Sequence, residues 1–63
     1  MRINGKEVAW EPITLLEYLR REGYNPARVV AERNMEVITG ERFREITLAE
    51  EDDINILHFM GGG

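Results

Sequence analysis

The chain has 63 residues, no cysteine, and eight Lys plus Arg against twelve Asp plus Glu, a formal net charge of −4. A chain of this length builds one small core that buries about 60% of the surface its unfolded form exposes, which disfavours a pocket enclosing both a substrate and its catalytic groups. Without thiols there is neither a disulfide framework nor a thiolate metal site, the acidic balance disfavours nucleic acid and anionic membrane, and nothing reads as a signal peptide or membrane span, so cytoplasm is the expected location.

In chain order, Met1-Arg2-Ile3-Asn4 reads as a short strand with Met1 and Ile3 on one face, and Asn4-Gly5 is a strong two-residue hairpin signal. Lys6 to Trp10 follows as strand two, with Val8 and Trp10 alternating against Lys6, Glu7 and Ala9. After the break at Glu11-Pro12, Thr14-Leu15-Leu16-Glu17 matches a capping box, in which the Thr14 hydroxyl and the Glu17 carboxylate take up otherwise unpaired amides at a helix start. A helix is expected from about Leu15 to Glu22, with Leu15, Leu16 and Leu19 as its buried stripe and Gly23 at the left-handed position past its end. Tyr24 to Ala27 is loop, since Pro26 keeps Asn25 out of helix, and Arg28 to Arg33, with the β-branched pair Val29-Val30, is strand three.

Asn34-Met35 turns the chain into a short strand, Glu36-Val37-Ile38, although Met35 stands where a hairpin prefers glycine and leaves the turn type open. Thr39 to Glu45 holds one apolar anchor, Phe43, and Ile46-Thr47-Leu48 adds an extended contact. The acidic run Glu50-Glu51-Asp52-Asp53 reads as a solvated turn, with electrostatic steering of a basic partner as the competing role. Ile54 to Met60 is the longest apolar strand and suits the centre of a sheet. Hairpin, helix and a second set of strands, with the most apolar strand last, give an α+β order: a β-grasp (ubiquitin-like) domain over residues 1–60, with a mixed four- to five-stranded sheet packed on one helix. Its expected core is Ile3, Val8, Leu15, Leu16, Leu19, Val29, Ile54 and Ile56, with the first and last strands parallel at the centre.

Gly61-Gly62-Gly63 then forms a tail with no side chain to bury. A run of glycines is ordinarily a frayed end or a cloning scar. Here it follows the strand directly, and a free α-carboxylate on a residue without a Cβ fits a narrow active site that any side chain would block.

Asn4-Gly5-Lys6-Glu7, the Thr14 to Leu19 helix, Val29-Val30-Ala31-Glu32-Arg33-Asn34, Glu51-Asp52-Asp53-Ile54 and above all His58-Phe59-Met60-Gly61-Gly62-Gly63 resemble the ThiS family, the sulfur carrier proteins of thiamine biosynthesis. The resemblance spans nearly the whole chain. It departs at Met35, where the family turn usually has glycine, and at Gly40, where members often place a basic residue. It implies that the chain is not an enzyme and binds no cofactor of its own. A ThiF-like, E1-like enzyme would use ATP to adenylate the carboxylate of Gly63, a sulfur donor carrying a persulfide would replace AMP, and a ThiG-like thiazole synthase would receive sulfur from the resulting thiocarboxylate. Gly61 and Gly62 would thread the tail past the nucleotide site.

Leu57 and Phe59 should lie on the sheet face opposite the helix as an apolar patch for partner docking, unless loop residues such as Phe43 cover them. His58 has no second His or Cys at ligand spacing, so a metal role is not expected, and Trp10 reads as core or hairpin packing. Two other readings stay open on the residues alone: the small subunit of molybdopterin synthase, usually longer and different in its approach to the glycines, and a ubiquitin-like modifier or binding module.

Overall fold

The computed structural model describes residues 1–58. The described chain forms a five-stranded mixed sheet in the order β2-β1-β5-β3-β4, with one α-helix packed on one face. β1 (Arg2–Ile3) and β2 (Lys6–Glu7) are joined through Asn4 and Gly5, at φ 52 and 81. Positive φ at both central residues is the turn whose twist matches that of the flanking strands. β1 runs parallel to β5 (Asp53–His58), with Arg2 opposite Asp53 and Ile3 opposite Ile54. β3 (Val29–Arg33) pairs antiparallel with β5 along its whole length, from Val29 opposite His58 to Arg33 opposite Ile54. β4 (Glu36–Ile38) closes the far edge.

The helix α1 (Leu15–Arg21) starts at Thr14, whose Oγ1 accepts from the Glu17 N–H at 3.1 Å while Glu17 Oε1 accepts from the Thr14 N–H at 3.0 Å. The backbone and side-chain hydrogen bonds from Thr14 hold the Glu17 carboxyl below its ordinary pKa. Gly23, at φ 86, ends the helix in the left-handed conformation that costs a residue without Cβ little.

The core consists of Ile3, Leu15, Tyr18, Leu19, Val29, Ala31, Ile38, Phe43, Ile46, Leu48, Ile54 and Ile56, with Val8 and Leu16 packed half-buried against it. Six of the eight expected core residues are therefore buried and two sit at the rim. The other six core residues divide evenly: Tyr18, Ala31 and Ile38 come from α1, β3 and β4, and three come from irregular chain, with the anchor Phe43 buried within a 3₁₀ segment, Gly40–Glu45, and Ile46 and Leu48 flanking the Thr14–Thr47 bridge.

Four expectations are corrected. The regular pairing of strand two ends at Glu7 instead of Trp10, although the Val8 N–H still reaches the Met1 carbonyl. Trp10 is 39% exposed and donates Nε1–H to the Leu48 carbonyl at 2.8 Å, so it latches a loop instead of filling the core. Pro26–Arg28 forms a 3₁₀ turn capped by the Asn25 side chain, which accepts from the Ala27 N–H. Asp52 is not solvated: it is 2% exposed and sits at the centre of a polar network. The Asn34-Met35 turn is of the same double-positive-φ kind as Asn4-Gly5, with φ 50 and 74, and it places the Met35 side chain in solvent.

Candidate functional site

The expected site lies at the end of β5, and its geometry follows from period-two alternation along that strand. Ile54 and Ile56 point into the core under α1, so Asn55 and Leu57 point to the opposite face. Leu57 is 59% exposed, directly across from Val30 on β3. Val37 on β4 pairs with Glu32 on β3, which pairs with Asn55, so Val37 belongs to the same outer face and is 61% exposed. The outer face therefore carries a small apolar group of Leu57, Val30 and Val37. Phe43 does not cover it, being fully buried in the core. Phe59, the other expected docking residue, and Gly61, Gly62 and Gly63 lie outside the described residues.

His58, on the helix side of the sheet, meets Tyr24 edge to face, with ring centroids 5.8 Å apart and planes at 84°. Among the described residues, no group of three or more His, Cys, Asp or Glu side chains is arranged to hold a metal ion. No helix among them is long and apolar enough to cross a membrane.

Two features of β5 escaped the sequence reading. At its start, Asp52 accepts from the Ala49 N–H at 2.7 Å and from Arg33 Nε at 3.0 Å through Oδ2, and from Asn34 Nδ2 at 3.2 Å through Oδ1. Burial pushes the Asp52 carboxyl up, but the Ala49 amide, Arg33 and Asn34 outweigh it and hold the carboxyl below its ordinary pKa. Asn34 completes the corner, its Oδ1 accepting from the Asp53 N–H and its own N–H donating to the Asp53 carbonyl. The second feature is Asn4, whose Oδ1 accepts from the Ile56 N–H at 2.7 Å across the sheet. A sequence clue existed for the outer face, since alternation on strands three and four places Val30 and Val37 beside Leu57. None existed for the bonds of Asp52 to Arg33 and Asn34 or of Asn4 to Ile56, which join residues distant in the chain.

Exposed Glu50, Glu51 and Asp53 line an open depression with Met1, Arg2 and Glu7. It lies at the start of β5, away from the end that leads into the tail.

Comparisons with known proteins show the family and the fold. The model of the ThiS family matches residues 1–63. The chain is 38% identical over 65 residues to the sulfur carrier protein ThiS of Bacillus subtilis, covering all of this chain and 98% of that one. It is 36% identical over 64 residues to a thiazole synthase of Magnetococcus marinus, where all of this chain matches only 20% of the longer protein. Among solved structures, the crystal structure of the thiamine biosynthesis protein ThiS from Geobacter metallireducens superposes with a TM-score of 0.78 at 32% identity, covering 98% of this chain and 96% of that one. The solution structure of a thiamine biosynthesis protein from the same organism gives 0.74 at 30% identity, covering 98% and 85%.

Proposed function

The chain belongs to the ThiS family, the sulfur carriers of thiamine biosynthesis, and on that premise we propose that it carries sulfur as a thiocarboxylate on Gly63 for the thiazole moiety of thiamine. The observation that carries this reading is the full-length likeness to a sulfur carrier, joined to a final strand that leads into Gly61-Gly62-Gly63.

A carboxylate is a poor electrophile, because attack adds charge to an anion. In the proposed first step, a Gly63 carboxylate oxygen attacks the α-phosphorus of ATP on an E1-like, ThiF-like enzyme and pyrophosphate leaves. The acyl adenylate is neutral at the acyl carbon and has AMP as leaving group. A persulfide sulfur donor then displaces AMP, and reductive cleavage of the resulting acyl disulfide by a thiol leaves the thiocarboxylate, which passes sulfur to a ThiG-like thiazole synthase. The chain itself supplies no catalytic group: it presents the electrophile while its partners supply the catalysis. Gly61 and Gly62 let the tail pass a narrow entrance, and the outer face with Leu57 provides the remote binding energy that positions the carboxylate, with Phe59 as a second docking residue. The match of this chain to a fifth of the length of a thiazole synthase supports that pairing of partners. The reaction belongs in the cytoplasm with its ATP.

The test is the intact mass of the chain after incubation with ATP, the adenylating enzyme and a persulfide donor with reductant. Replacement of one oxygen by sulfur, located to Gly63 by fragmentation, is the expected result. An isopeptide adduct would make the chain a modifier, and an unchanged mass would make it an inert binding module.

A further inference from the structure

The parallel pairing of β1 with β5 stops early. Arg2 and Ile3 are the only β1 residues in register with β5, because the chain turns away at Asn4, at φ 52. On this side the Asn4 N–H still donates to the Ile54 carbonyl at 2.8 Å. A regular parallel ladder would next have the Ile56 N–H donate to the Asn4 backbone carbonyl. Instead the Asn4 side chain swings in and its Oδ1 accepts that N–H at 2.7 Å, standing in for the backbone that has left.

Beyond this substitute the edge is open. By the alternation of β5, the Ile56 carbonyl and the N–H and carbonyl of His58 face the β1 side, while Leu57 faces its partner Val30 on β3. Among the described residues, no backbone or side-chain group pairs with the Ile56 carbonyl or the His58 N–H. A strand in the middle of the sheet thus has an unpaired half-edge just before the tail, in line with β1 and bounded by Asn4.

We infer that this half-edge of β5 accepts an extended backbone segment of the adenylating enzyme, added to the sheet as a short strand in line with β1. The inference rests on the proposed function and deepens it. Unpaired strand edges recruit partner strands through main-chain hydrogen bonds. The groups here are too few to hold two copies of this chain together, so the segment must belong to a protein that is already docked. The tail favours the same occupant. The half-edge lies just before Gly61-Gly62-Gly63 in the sequence, the tail that the proposed function delivers to that enzyme, so a segment paired at Ile56 and His58 belongs to the protein that receives the tail. Strand addition would then align the tail as well as adding affinity.

Hydrogen exchange and one pair of variants test the inference. In the free chain the His58 amide should exchange about a hundredfold faster than the Leu57 amide, which is paired with β3. In the complex with the adenylating enzyme it should become protected. His58→Pro removes the N–H and puts a ring on the open edge without breaking a hydrogen bond among the described residues, so it should bind the enzyme about tenfold more weakly. His58→Ala keeps the N–H and should bind like wild type, which separates the backbone from the contact with Tyr24. A His58 amide protected in the free chain, or still exchanging freely in the complex, overturns the inference even if His58→Pro proves unstable. Wild-type affinity for folded His58→Pro overturns it while leaving the proposed function standing. Failure of the wild-type chain to bind the enzyme removes both, a distinguishable result. Exchange protection that rises with chain concentration alone would assign the edge to a second copy and overturn the choice of occupant.

Discussion

At its start β5 is held from both sides and from below: Ile54 is fully buried, β1 and β3 flank it, and Asp52 ties the preceding loop to Arg33 and Asn34. At its end, among the described residues, the same strand keeps β3 on one side only, with Leu57 in solvent and Asn4 making the last hydrogen bond on the other. Stability is invested where the strand enters the sheet and withheld where it leaves. Under the proposed function that division is useful, because groups committed to the chain's own fold are not available to a partner.

The largest expected effect is at the anchored end. Ile54→Ala should cost about 2–5 kcal/mol, the range for truncating a fully buried aliphatic side chain. Leu57→Ala should stay within about 0.5 kcal/mol. Urea denaturation of both variants checks the contrast, and equal losses would erase the difference between the two ends.

Asp52→Ala comes next. It leaves the Ala49 amide, Arg33 and Asn34 without their acceptor, which should cost about 1.5–3 kcal/mol. Its pH dependence has a definite sign. The folded carboxyl titrates below its ordinary value, so its stabilisation is complete above the unfolded pKa of about 3.9 and is lost as pH falls through the lower folded pKa. Wild type and Asp52→Ala should therefore differ most near neutrality and converge in strong acid. A gap that persists or widens at low pH would show that the contribution of Asp52 is not that of a charged acceptor.

Asn4→Ala should cost about 1–2 kcal/mol, because it removes the acceptor of the Ile56 N–H and puts a side chain without local hydrogen bonding at a positive φ. Hydrogen exchange should show the loss at the Ile56 amide before any other in β5. Leu57→Glu should change the melting temperature least of these while weakening association with the adenylating enzyme, a separation that calorimetry and thermal melting read independently. If Leu57→Glu unfolds the domain and Ile56→Glu does not, the faces of β5 are the reverse of those described.

The contrast between the ends of β5 was only partly legible in the sequence. Alternation from Ile54 to Leu57, the capping box at Thr14 and the Asn4-Gly5 turn are local signals, and the structure follows them. The strand order follows from them too, since a hairpin, one helix and a final apolar strand leave few ways to build one core. Asp52 misled because four consecutive acidic residues look alike in sequence, and what singles one out is Arg33, 19 residues earlier. Asn4 signals a turn, and its second role towards Ile56, 52 residues away, appears only when β1 and β5 lie side by side. Phe43 is legible as a lone apolar anchor, whereas the burial of Ile46 and Leu48 is not, because a single bridge imposes no long periodicity on the side chains beside it.

The central claim is that the fold serves to present Gly63, and tail variants test it most directly. Adding one residue after Gly63, deleting Gly63, or replacing Gly62 with Phe should each abolish ATP–pyrophosphate exchange by the adenylating enzyme while leaving circular dichroism and the melting temperature at wild-type values. An extended or shortened chain that exchanges pyrophosphate at the wild-type rate would contradict the claim.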